Sequence, residues 1–167
     1  MGQQNRQINI MEQSTRKPLS REDEKLLYID LSARLPYGVR FITTGSDFPF
    51  RLEWFDDRRR ANGTVRLEHV IPILRPMSSM TPEEREDFWK NVLDIDWREL
   101  EFDEEPDEVP FPFTENDCGF YLDNLYLTDL FAVIDWLNEH HFDWRGLIPK
   151  GIALSTEEFK FNPYKNQ

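Results

Sequence analysis

The residues best suited to chemistry lie together in "DWLNEHHFDWRGLIPKG": His140, His141, Asp143 and Arg145. Adjacent imidazoles beside a carboxylate and a guanidinium could serve acid–base catalysis or metal ligation. Their spacing argues against both. Neighbours on a helix project about 100° apart at about 3.6 residues per turn, so His140 and His141 do not readily share one metal. The two His four residues apart, with Glu between, that make a zinc-binding helix are absent. Histidines in a last helical turn suit the helix C-terminal dipole. Gly146 and Gly151 follow a helix instead of leading one, so no phosphate-cradling loop is expected. The expectation is a structural corner, with Asp143 and Arg145 pairing or capping locally. Phe142, Trp144, Leu147 and Ile148 would anchor it.

The other nucleophile, Cys118, stands in acidic surroundings that raise a thiol's pKa, and His69 lies far away on an expected strand. Paired carboxylates are numerous, but none has the spacing of a glycosidase or a calcium loop. No catalytic residue, no metal ligand and no cofactor is assigned.

Charge is more informative. The net charge is −12, and eleven Asp or Glu against one Arg lie between Asp94 and Asp117. That stretch also carries aromatics. Trp97, Phe102, Asp103, Glu104, Glu105, Asp107, Glu108 and Phe111 form the candidate partner-binding surface. Acidic groups would set the on-rate to a basic partner, and the aromatics the affinity. Arg51, Arg58, Arg59, Arg60 and Arg66 form a candidate basic patch. These arginines could grip phosphate or a carboxylate-rich partner, or neutralise the acidic stretch from within. Direct nucleic-acid binding is disfavoured by the overall charge.

These groups need elements to hold them. Ser20 caps a helix over about 21–34 with acidic residues in its first turn, and Pro36 stops it. Three alternating runs follow, Val39–Thr43, Phe50–Phe55 (with Phe50, Leu52 and Trp54 on one face) and Thr64–Leu74. Joined by polar links, they read as an antiparallel meander. Pro72 is expected at an edge or bend. Thr81, Pro82 and Glu84 make a capping box for a helix over about 82–93, which buries Phe88, Trp89, Val92 and Leu93. Like charges and three prolines exclude a long helix from the acidic stretch, which reads as an irregular loop pinned by hydrophobic pegs. A third helix, about 128–141, is capped by Thr128. Its apolar face holds Phe131, Ile134 and Leu137, widened by Leu130 and Val133.

The chain of 167 residues suits one domain, and its 14% aromatic content can supply a core. A single cysteine excludes an internal disulfide and fits a reducing compartment. No apolar run nears the roughly 18 residues of a membrane span. The polar N-terminus lacks a signal peptide's apolar middle, and "MGQQNR" has Arg6 where myristoylation wants Ser or Thr.

Three phrases together, "LSARLPYGVR" (Leu31–Arg40), "ILRPMSSMTPEE" (Ile73–Glu84) and "DWLNEHHFDWRGLIPKGIAL" (Asp135–Leu154), resemble a family of small uncharacterised proteins of Bacteroides-type gut bacteria and their phages and prophages. The resemblance spans roughly residues 20–155. It implies a bacterial or phage setting inside the cell and carries over no catalytic residue.

The resulting expectation is an α+β fold: a small antiparallel meander of three to four strands packed with three α-helices and a long acidic loop. Residues 1–19 would be a flexible arm, 20–155 a single domain with the loop at 94–117, and 156–167 a polar tail. The function expected is a cytoplasmic, non-enzymatic protein–protein interaction factor of phage or mobile-element origin, with an accessory or inhibitory role. The alternatives are a virion or assembly component, or a small hydrolase-type enzyme using the His140/His141 corner.

Overall fold

The computed structural model describes residues 18–46, 48–100, 106–116, 119–121 and 130–164. The fold class is mixed α+β, with three α-helices and antiparallel-rich sheets among the described residues. The chain divides into two compact units: unit 1 is 1–74 with 147–167, and unit 2 is 75–146.

In unit 1, helix α1 spans Arg21–Arg34, and Ser20 accepts from the Asp23 backbone N–H. Gly38, in the left-handed region at φ 67, turns the chain into strand β1, Arg40–Thr43. The other strands of this unit are β2 (Phe50–Arg51), β3 (Arg60–Ala61), β4 (Val65–Arg66), β5 (Val70–Leu74) and β8 (Leu154–Ser155). The main sheet runs β2-β1-β5-β8. The first apolar run therefore sits between the other two, instead of at the start of a simple meander, and β8 joins β5 in parallel. On one face Phe41, Val70 and Leu74 pack with Leu27 and Leu31 of α1. On the other, Ile42, Ile71 and Ile73 pack with Phe159.

Pro72 occupies an inner strand, not an edge. Thr44 donates its N–H to the His69 carbonyl (3.2 Å), and Phe41 is the Cα partner of Pro72. The two-residue alternation of an antiparallel ladder then makes Phe41–Pro72 a non-hydrogen-bonded pair. Pairing with β8 starts only at Ile73. The proline's missing donor therefore interrupts neither ladder.

The run Phe50–Phe55 does not continue as a strand. Leu52 is buried, but Phe50 and Trp54 are exposed. Pairing ends because the partner runs out: Leu52 N–H still donates to the Val39 carbonyl, and the chain before Val39 turns away at Gly38. Asn62 ties down the opposite edge. Its carboxamide accepts from Glu53 N–H (2.9 Å) and donates to the Arg51 carbonyl (2.9 Å), which occupies the outer edge of β2. Asn62 (φ 49) and Gly63 (φ 70) have the paired positive φ values of a type I′ turn, here joining β3 to β4. A Cβ on Gly63 would stand 2.6 Å from the Trp54 ring, so only glycine leaves room for that indole.

The segment expected as a polar tail is held on the sheet through its described part. Ser155 and Glu158 make a capping box, Phe159 enters the core, and Tyr164 donates its hydroxyl to the Ile73 carbonyl (2.6 Å). The polar letters of 156–164 hide two aromatic anchors.

Unit 2 holds helices α2 (Pro82–Asp87) and α3 (Leu130–Glu139) and a hairpin of β6 (Thr114–Asn116) and β7 (Gly119–Tyr121). The capping box of Thr81 and Glu84 is formed. Beyond Asp87 the helix widens into a π-turn, Phe88–Val92. Phe88, Trp89 and Leu93 are buried, and Val92 is half-buried. The apolar face expected for α3 is shifted. Val133, Trp136 and Leu137 are buried, whereas Phe131 is 80% and Leu130 is 53% exposed. Trp136 sits one turn from Val133 and beside Leu137, and its large ring defines the inward side; Phe131 lies about 200° round from Val133. Thr128 and residues 1–17 of the expected arm, 1–19, lie outside the described residues.

Candidate functional site

The histidine corner belongs to unit 2 and is built around Arg75. The Arg75 N–H donates to the His141 carbonyl (2.9 Å), and its carbonyl accepts from Asp143 N–H (2.8 Å). Its guanidinium lies 4.2 Å from the Phe142 ring centroid and grips both oxygens of Glu84 (2.6 and 2.8 Å). His140 and His141 part company, as the helical angle requires. His140 stacks on Trp136 (3.9 Å between centroids), and its Nδ1 donates to the Trp136 carbonyl (2.9 Å), which closes the last turn of α3. His141 turns inward with φ 60 and is buried, as is Asp143. Arg145 lies over Trp144 (4.1 Å), whose indole N–H donates to Asn138 (3.0 Å).

Two carboxylates face this corner. Burial raises Glu84, but hydrogen bonds from Arg75 and the Thr81 N–H outweigh it and hold the carboxyl below its ordinary value. Asp87 is lowered by hydrogen bonds from Asn91 (2.7 Å) and the Trp136 indole (2.9 Å). Asp87 ties α2 to α3, and Glu84 caps α2 and ties it to Arg75. Among the described residues no group of three or more His, Cys, Asp or Glu converges to hold a metal ion.

The acidic stretch offers a more open geometry. Phe102, Asp103, Glu104 and Glu105 lie outside the described residues. Asp107 and Glu108 are exposed. The chain just after them is anchored: Arg85 donates to the Val109 carbonyl (3.2 Å), the Trp89 indole to the Pro110 carbonyl (2.9 Å), and Phe111 meets Phe113 (5.7 Å). Ile95, Trp97, Leu100, Val109 and Phe111 all pack on the unit 2 core, the pegs expected of this stretch.

Between the π-turn and the turn at Trp97–Glu99 lies a cleft of about 250 Å³. Its walls follow from backbone geometry. Leu93 N–H bonds back to the Phe88 carbonyl and Ile95 N–H to the Trp89 carbonyl, while Asp94 adopts the left-handed region at φ 55. That wide, reversed end brings Trp89 and Lys90 to one side and Asp94, Asp96 and Trp97 to the other. The Trp97 indole donates to Glu86 (2.7 Å). Arg98 lies 4.7 Å from the Trp97 ring centroid and binds Glu86 (3.1 Å) and Asp96 (3.2 Å). The Trp97 bond, followed by the bond and charge of Arg98, holds Glu86 below the ordinary glutamate range. Asp94 is exposed and forms no hydrogen bond or ion pair with a described residue.

The arginine patch belongs to unit 1. Arg60 is paired with Asp56 (2.6 Å) and stands across the hairpin from Arg66, which meets Glu68 (3.2 Å). Arg59 (φ 57) lies over the Tyr28 ring, and Arg58 is exposed. Arg51 stands apart from these on β2, with Arg40 of β1 as its cross-strand partner. The run Arg58–Arg60 is therefore largely committed to local contacts. Sequence reasoning missed Arg40, and also Glu86, Lys90, Asp94 and Asp96 as cleft residues; only the "DIDW" carboxylates beside a tryptophan hinted at them.

Comparison of the chain with protein-family models, curated proteins and solved structures returns no match. Among the described residues no helix is long and apolar enough to cross a membrane.

Proposed function

We propose that the protein is a non-enzymatic protein–protein interaction factor that docks on a basic partner through the cleft between Trp89 and Trp97 and the acidic chain around it. One observation carries this reading. The surface already holds a guanidinium of its own, Arg98, over Trp97 and between Glu86 and Asp96, and beside it Asp94 has no described partner. An incoming Arg or Lys finds the same ingredients, an indole face and a carboxylate. Asp107 and Glu108 extend the negative surface and steer the encounter. The widened helix end supports the reading, because π-turns and left-handed non-glycine residues concentrate at functional sites. In the bacterial or phage setting that the resemblance implies, such a factor acts as an accessory or inhibitor inside the cell.

The test is a calorimetric titration of the full chain with an arginine-rich peptide. Replacing Asp94 and Asp107 by Asn, and Glu108 by Gln, is expected to weaken binding at least about tenfold. Equal affinity before and after neutralisation removes the proposal.

A further inference from the structure

We infer that Arg40 and Arg51, in unit 1, form a binding site for a phosphate-class dianion. The strand register brings them together. Arg40 and Arg51 are Cα partners, and Leu52 N–H donates to the Val39 carbonyl (2.9 Å) one position along. Ladder alternation therefore makes Arg40–Arg51 a non-hydrogen-bonded pair, the kind whose side chains approach most closely. Cβ atoms in such pairs stand roughly 4.5–5.5 Å apart, and like charges there repel. Neither guanidinium forms an ion pair or a side-chain hydrogen bond with a described residue, and Arg40 Nε is buried without a partner. Arg34, also near the Tyr164 hydroxyl, is matched by its own buried ion pair with Asp30 (2.8 Å), so the positive charge of the site rests on Arg40 and Arg51.

The pair is also held in place. The Arg40 N–H donates to Tyr164 Oη (3.2 Å), and that hydroxyl donates onward to the Ile73 carbonyl, so the phenol bridges β1 and β5. Asn62 secures the Arg51 carbonyl. The Arg51 guanidinium lies against Gly38, where a Cβ would stand 2.5 Å from Nε. Two arginines on a secured backbone, without counter-charge from a described residue, call for a ligand with two negative charges and several acceptor oxygens. Phosphate supplies both near neutral pH, whereas one carboxylate would leave a positive charge unanswered. The inference is independent of the proposed docking cleft, which uses none of these residues.

The experiment is thermal unfolding of the full chain at fixed ionic strength. Chloride is exchanged for inorganic phosphate, and in parallel for phenyl phosphate, to tell a free ion from a phosphate ester. At about ten times Kd the wild-type midpoint is expected to rise by about 3 °C. Arg51→Gln, an exposed position, is expected to unfold normally in chloride and to lose the rise; Arg51→Lys is expected to keep part of it. A rise confined to the ester still supports the site and names its source. A rise of equal size in Arg51→Gln, or none with either anion in the wild type, overturns the inference.

Discussion

Glu84 shows how much one side chain can hold. Its carboxylate caps the Thr81 N–H (2.9 Å) and receives both prongs of Arg75, which itself clasps the corner at His141 and Asp143. Glu84→Gln is expected to cost about 1–3 kcal/mol, read as a lower chemical-denaturation midpoint. Because the folded carboxyl sits below its ordinary value, its contribution is fully present above the unfolded pKa, roughly 4. It is lost as the pH falls through the lower folded value. The wild type should therefore lose stability in acid more steeply than Glu84→Gln does. Tyr164→Phe makes a second test. It strips the bridge from Arg40 N–H and the Ile73 carbonyl, and is expected to cost about 1–3 kcal/mol by the same measurement. The capping box was legible in the sequence because its partners are three residues apart. The Tyr164 bridge was not, because Tyr164 bonds to residues 91 and 124 positions away.

Among the elements, the widened end of α2 matters most. Its apolar stripe reads from the sequence as ordinary helix, since Phe88, Trp89, Val92 and Leu93 share one face in either form. What the letters do not show is the reversal at Asp94, which depends on packing of the turn that follows. Asp tolerates the left-handed region better than most residues, yet less well than glycine. Asp94→Gly is therefore expected to keep or raise stability by about 0.5–1 kcal/mol in denaturant unfolding, while weakening binding of a basic peptide. Stabilisation with undiminished binding would mean that the carboxylate has no part in docking. The strand after Phe50 is short for a related reason. Alternation in "FRLEWF" is genuine, but the turn at Gly38 leaves no partner beyond the Val39–Leu52 pair. In α3 the aromatic Trp136 decides the buried side, although Phe131 fits the apolar period equally well on paper.

At the scale of the whole molecule, charge separates the two proposals. A net charge of −10, of the chain's −12, lies between Asp94 and Asp117 in unit 2, whereas Arg40 and Arg51 stand in unit 1 without counter-charge from a described residue. Composition alone made the acidic, aromatic-bearing stretch legible, but not the cleft, which needs the fold to set Trp89 beside Trp97. Affinity for a basic peptide should fall with added salt, because exposed charges are screened beyond about 10 Å at 0.1 M. The most direct measurement is an amide and indole NMR titration of the full chain with an arginine-rich peptide. The docking account predicts that the indole N–H signals of Trp89 and Trp97 and the amide of Asp94 shift together. Shifts that leave these three signals in place would contradict it.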